Sequence, residues 1–265
     1  MKKVLFFLVL STSLMAQNIK VNFKFHVNTI YDYTSTSKNF TLTQNSSNSL
    51  FKFDDINNSD QIKYKEQARL MKTTDTLTTF LINGETLLTF YRQQTFKNFV
   101  KNIQITNYKL EFKQPQVYVE DKINMFSWEI LSKKDTIIGG FNCKTATTNF
   151  RGREYLAYFT SEIANQGGPW KFDGLPGFIL RVESVDGYLL IEPTEIIISK
   201  EASKEIINPF ENKKVVFFID LHKILVEKDK RYVSRSKSLP NPPDRITMSV
   251  PDMIENTGLG ERIYE

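Results

Sequence analysis

Apolar residues at Val21, Phe23, Phe25 and Val27 alternate with Asn22, Lys24, His26 and Asn28, the period of two expected of a strand with one buried face. Tyr31 and Tyr33 continue the alternation. Phe40 and Leu42 repeat it beyond a stretch rich in Ser, Thr and Asn, so the amino-terminal part reads as short strands joined by polar turns. Residues 76–82 and 85–93 flank Asn83-Gly84, a strong two-residue hairpin signal. Residues 96–108 give no decisive period, residues 117–119 and 126–131 look extended, and Lys133-Lys134-Asp135 reads as a turn. Residues 136–148 and 154–160, joined through Asn149-Phe150-Arg151-Gly152, extend the meander, with Tyr155, Ala157 and Phe159 alternating with Glu154, Leu156 and Tyr158. Residues 196–198 end it. Helix formers and charges over 200–207 and 220–230 predict one or two short helices, with a strand at 215–219 between them. Three prolines within 234–244, and the lack of any period over 256–265, predict a poorly ordered tail over 234–265. The fold class is therefore mainly β, an antiparallel meander sheet able to curl into a half-barrel, with the helices near the carboxyl end.

Residues 138–187 break the pattern. Eight of the eleven glycines lie there, together with Trp170, Phe172, Leu175 and Phe178, so the segment reads as tightly constrained turns anchored by large apolar side chains. Leu175-Pro176-Gly177-Phe178 suits a type II turn, Pro176 supplying φ near −65° and Gly177 a positive φ. Asp186-Gly187 predicts a second hairpin turn. Counting outward from it sets Val182 opposite Ile191 and Arg181 opposite Glu192, the latter an opposite-charge pair. Leu180, Val182, Leu189 and Ile191 then share an apolar face.

At 265 residues, with 40% hydrophobic and 13% aromatic content, the chain can build a sizeable core. Its start is a different matter: Lys2 and Lys3, the apolar run 4–10, and Ser-Thr-Ser-Leu-Met-Ala-Gln have the layout of a secretory signal peptide ending at Ala16. A single domain is expected over 17–233. No later stretch is long and apolar enough to predict a membrane-spanning helix. Without Lys2 and Lys3 the formal charge of +5 falls to +3, the remaining lysines are spread among acids, and nothing predicts nucleic-acid binding. Cys143 is the lone cysteine and His26 and His222 the only histidines, with no ligand spacing, so neither a metal site nor a cofactor is expected.

Three runs carry a resemblance: Cys143-Lys144 with Phe150-Arg151-Gly152-Arg153-Glu154-Tyr155; Tyr158-Phe159-Thr160-Ser161-Glu162-Ile163; and Gly168-Pro169-Trp170-Lys171-Phe172-Asp173-Gly174-Leu175-Pro176-Gly177-Phe178-Ile179-Leu180. Together they resemble the GLPGLI family of exported proteins from the Bacteroidetes, with Phe178 where the family usually has Leu. The resemblance implies export and a cell-envelope location, periplasmic or associated with the outer membrane; it carries over no catalytic residue.

The candidate binding residues are Arg151, Arg153, Glu162, Trp170, Lys171, Phe172 and Asp173, around the structural motif Gly174, Leu175, Pro176 and Gly177. Two guanidinium groups flanking Gly152 could grip a carboxylate or phosphate, with pairing to Glu154 or Glu162 as the plain alternative. Trp170 and Phe172 read first as loop anchors, and Cys143 as a structural thiol. The predicted function is a non-enzymatic scaffold that binds an envelope protein, a peptide or an apolar ligand. The alternative is a hydrolase or transferase using Arg151, Glu162, Lys171 and Asp173, although no nucleophile and base can be recognised.

Overall fold

The computed structural model of the protein describes residues 18–27, 36–54, 93–108, 116–201, 205–240, 246–248, 255 and 262–264. The signal peptide expected over 1–16 and the hairpin expected around Asn83-Gly84 lie outside these residues. Strand β1 (Asn18–Val27) is followed by β2 (Thr36–Gln44), β3 (Asn48–Phe53), β4 (Thr95–Asn98), β5 (Ile103–Tyr108) and β6 (Val117–Lys122). Then come β7 (Glu129–Ile138), β8 (Phe141–Phe150), β9 (Arg153–Thr160), β10 (Phe178–Ser184) and β11 (Leu189–Ser199). Strand β12 (Val215–Phe217) leads directly into helix α1 (Phe218–Lys237), and β13 (Ile246–Met248) and β14 (Arg262–Tyr264) form a separate antiparallel pair.

One sheet holds twelve strands in the order β12-β6-β5-β4-β3-β2-β1-β11-β10-β9-β8-β7. Strand β1 lies in the middle; the strands then proceed outward through β6, cross to the opposite edge at β7 and return until β11 pairs with β1. The sheet is mainly β as expected but mixed, because β12 runs parallel to β6. Its connections show that it is curled. Strands β6 and β7 are second and twelfth in the order, a separation of about 48 Å along a flat sheet with strands about 4.8 Å apart. The chain from Lys122 to Glu129 reaches at most about 25 Å. The two halves must therefore bend toward each other around a common inner face. Asp121 of β6 and Arg151 of the β8–β9 turn meet at 2.7 Å, which closes the same span through side chains. The outermost strands β12 and β7 are not paired, so the sheet does not close into a barrel.

Alternation decides which side chains enter the concavity. Phe23 opposes Phe40, Phe40 opposes Phe53 and Leu42 opposes Phe51, and Phe40 and Phe51 stack with ring centroids 4.8 Å apart. From the other half Tyr155, Ala157, Val182, Leu189 and Ile191 enter the same core. On the outer face Phe96 and Ile105 are covered by Phe210. Helix α1 lays Leu221 against Tyr108 and Val119. Asp220 in its first turn and Arg235 and Lys237 in its last suit the helix dipole.

Several expectations are corrected. Lys133-Lys134-Asp135 is not a turn but part of β7, whose pairing with β8 shifts register between Leu131 and Thr136; the reversal comes at Gly139-Gly140, both with positive φ. The break in pairing falls at these charged residues on an edge strand, and irregular, charged edges are a common way of discouraging further pairing. Among the described residues there is one helix, of 20 residues and not a short one, and the described residues of 200–207 are not helical. The boundary expected after residue 233 falls inside α1, and within the expected tail β13 pairs with β14 and Glu255 is buried. Val182 opposes Ile191 as counted. Arg181, however, pairs with Glu183 on its own strand at 2.5 Å, while Glu192 meets His26 at 3.1 Å. Among the described residues no helix is long and apolar enough to cross a membrane.

Candidate functional site

Strand β9 ends at Thr160 and β10 begins at its partner Phe178, but the chain between them does not make a short turn. Residues 161–177 leave the sheet and lie across its inner face. Ile163, Trp170, Phe172 and Leu175 are buried in the core; Trp170 and Phe172 are 2% and 0% exposed. Trp170 has φ +50, unusual for a bulky residue, and the turn is closed by the Phe172 N–H donating to the Pro169 carbonyl at 3.1 Å. Three consecutive side chains, Trp170, Lys171 and Phe172, are all buried as a result.

A row of polar residues on the sheet meets this loop. Gln44 opposes Ser49, Ser49 opposes Lys97, Lys97 opposes Gln104, and Gln104 opposes Asp121. Directly paired residues share a face, so the row runs across β2 to β6 on the concave side. Gln44 Nε2 donates to the Gln166 carbonyl at 2.5 Å. Lys97 Nζ donates to the carbonyls of Gly168 at 3.2 Å and Phe172 at 2.8 Å, and to Asp173 Oδ2 at 2.9 Å. Asp121 receives Lys171 at 2.8 Å. Gly167 keeps one strand contact, its carbonyl accepting from the Ile179 N–H of β10 at 2.8 Å, and the carbonyls of Gln166, Gly168 and Phe172 find their partners in side chains of the sheet, as buried carbonyls require. Burial lowers the Lys97 ammonium below its ordinary range, with Asp173 opposing that shift. Trp128, on the β6–β7 connection, adds an indole N–H to the Asp173 carbonyl at 2.7 Å.

The densest charge cluster lies at the Asp121 end. Lys171 Nζ, 0% exposed, donates to Tyr108 Oη at 2.7 Å, Asp121 Oδ2 at 2.8 Å and Glu255 Oε1 at 2.9 Å, which uses all three ammonium protons. Arg151 binds Asp121 Oδ1 at 2.7 Å and also bonds Glu255. Its guanidinium stacks on the Phe218 ring, 3.4 Å from the centroid. Tyr108 donates to Glu255. Burial, reinforced by the Glu255 charge, pushes the Tyr108 phenol well above its ordinary range, so the hydroxyl stays protonated. Burial opposes the charge on Asp121, yet Lys171 and Arg151 outweigh it and hold the carboxyl below its ordinary value.

The remaining predicted residues lie elsewhere. Arg153 does not join Arg151 on a common anion: it pairs with Asp186 at 2.9 Å and sits over the Tyr188 ring. Glu162 is exposed and accepts from the Asn142 side chain at 2.8 Å. Lys171 and Asp173 are two residues apart yet belong to different ion-pair groups. Tyr108, Asp121, Lys97 and Glu255 were not anticipated, since they converge only through the curl of the sheet.

The reading of Gly177 also changes. Gly174 has φ +91, but Gly177 is not among the glycines with positive φ. Its N–H donates to the Leu175 carbonyl at 2.8 Å, a three-residue turn centred on Pro176, in place of the expected type II turn. What Gly177 provides is room, because a Cβ there would stand 2.8 Å from the Thr160 carbonyl carbon.

Cys143 is buried and packed in the core, and burial pushes its thiol up to about 11. A thiolate reagent at neutral pH should therefore label the folded protein far more slowly than the protein in urea. Equal rates in a disulfide-exchange assay would refute this.

No protein-family model matches the sequence, and no curated protein is similar to it. Among solved structures, PNGF-II in a C2 crystal form aligns with a TM-score of 0.48 at 15% identity over 90% of this chain and 36% of its own. Its P21 form gives 0.48 at 16% identity, over 89% and 35%. The chain thus spans about a third of the length of PNGF-II. An outer membrane lipoprotein-sorting protein domain from Vibrio parahaemolyticus gives a TM-score of 0.31 at 7% identity, over 74% of this chain and 89% of that domain. None of the three reaches a TM-score of 0.5.

Proposed function

We propose that the protein is an exported, non-enzymatic β scaffold of the cell envelope, of the GLPGLI type, acting in the periplasm or at the outer membrane by holding an envelope protein, a peptide or an apolar ligand. One observation carries this reading over the hydrolase or transferase alternative. Of the four residues that the alternative requires, Arg151, Lys171 and Asp173 are committed to ion pairs inside the fold, and Glu162 stands apart on the surface. A general acid or base must reach a substrate proton, and the ammonium of Lys171 has no proton left to offer one. The glycine-rich loop serves as an internal closure of the concavity, and binding is left to the outer surfaces, where Ile130 and Ile137 of the edge strand β7 are exposed.

The test is a screen of the purified mature protein against ester, peptide and glycoside substrates, alongside copurification of the tagged protein from its native envelope. A stoichiometric envelope component without turnover is the expected outcome. Turnover abolished by Glu162→Gln, in a protein with an unchanged unfolding midpoint, would overturn the reading.

A further inference from the structure

We propose that Tyr108, Arg151 and Lys171 form a carboxylate-receiving site, and that the chain fills it with its own Glu255. Three donors meet the Glu255 carboxylate: Arg151 on Oε1, Tyr108 on Oε2, and Lys171 shared between the two at 2.9 and 3.1 Å. The donors come from three separate parts of the fold, β5, the β8–β9 turn and the glycine-rich loop, and each is held in place by something other than Glu255. Asp121 fixes Arg151 at 2.7 Å and Lys171 at 2.8 Å. The rings of Phe218 and Phe150 hold the guanidinium, at 3.4 Å and 4.8 Å from their centroids. Lys171 fixes Tyr108 at 2.7 Å. The receptor is thus preorganised, and a group entering it spends little of its binding energy on ordering the protein.

Charge sets the class of ligand. Without Glu255 the cluster holds two cations against the single carboxylate of Asp121, and Lys171 is wholly buried. An uncompensated buried cation is costly, so the site favours one further negative charge. One donor on each of two oxygens and a third shared between them, with a guanidinium among them, match a planar carboxylate. Glu255 lies between β13 and β14 in sequence, far along the chain from its donors, and is itself tied to the body of the fold through this site. A carboxylate supplied from outside competes with Glu255.

The experiment uses the full mature chain with Glu255→Ala, which removes the occupant and leaves a space the size of a small carboxylic acid, and formate and acetate as probes. Thermal unfolding is followed in sodium formate, sodium acetate and sodium chloride at matched ionic strength. At a formate concentration about four times its dissociation constant, the midpoint of E255A should rise by about 2–4 °C beyond that in chloride. Wild type, whose site is occupied, and Glu255→Gln, whose amide keeps the space filled, should respond to formate and chloride alike. If E255A does not fold in chloride, recovery of folded protein on refolding into formate is the same expected result, and failure in formate as well overturns the proposal. Equal midpoints of E255A in all three salts, or an equal formate response in wild type, also overturn it. None of these readings depends on whether the protein is an enzyme.

Discussion

Lys171→Met is expected to destabilise the protein by about 3–5 kcal/mol, the range for removing one partner of a buried ion pair. Methionine has nearly the same length and fills the same space, so the loss isolates the charge. Asp121 and Glu255 would then face a single guanidinium, and the Tyr108 hydroxyl would lose the ammonium that donates to it. Lys223→Met provides the control. Its pair with Asp220 lies on the exposed surface of α1, where such pairs contribute little, and its urea midpoint should hardly move. Equal midpoints for K171M and K223M would show that the network contributes nothing to stability.

The same network fixes a pH dependence. Asp121 is held below its ordinary value of 3.8, so as pH falls the unfolded chain takes up this proton before the folded one does. The stability contributed by Asp121 is therefore complete above about 3.8 and drains away as pH drops through the lower, folded-state value. With Lys171 replaced, burial acts on Asp121 against one cation only, and its carboxyl moves up. The stability that wild type loses as pH falls below about 3.8 should accordingly be smaller in K171M, since its folded-state carboxyl no longer lies as far below the unfolded one, a difference that urea titrations from pH 6 downward past 3.8 would measure.

How far the fold was legible follows from the range of each interaction. Alternation from Val21 to Val27 and the glycines at Gly152 and Gly187 are local signals, and β1 and the β8–β9 and β10–β11 reversals stand where those signals put them. Lys133-Lys134-Asp135 misled because charge and turn propensity also suit a break in register on an edge strand. The helix expected over 200–207 rested on propensity, a weak determinant, and in the described residues Ile206 instead packs against the Phe96 and Phe210 cluster from a non-helical stretch. The candidate site was half legible. Trp170, Phe172 and the glycines marked a constrained loop, but the partners of Lys171 come from Tyr108, Asp121, Arg151 and Glu255, separated by up to 147 residues along the chain. Only the curl of a twelve-stranded sheet brings them together, and a curl has no local sequence signature.

Gly177→Ala should cost about 3 kcal/mol, at the top of the range for inserting a methyl group into a packed site, and more than Gly187→Ala. The two glycines separate two reasons for using the residue. Gly187 has φ +73, and a Cβ added there meets nothing within 4 Å. Alanine at that position bears only the conformational cost of a left-handed residue, about 1 kcal/mol. Gly177 carries no such cost, but its added Cβ would press on the Thr160 carbonyl and come within 3.2 Å of the Phe159 ring. The obstructing atoms are backbone, fixed by the pairing of Thr160 with Phe178, and cannot rotate aside as a side chain would. Relief would require moving either the end of β9 or the loop, and the loop is held by Lys97, Trp128 and its own buried rings. Urea unfolding of both variants decides the matter: if G187A is the more destabilised, backbone conformation rather than close approach explains the glycines of this segment, and Gly177 has lost its reason.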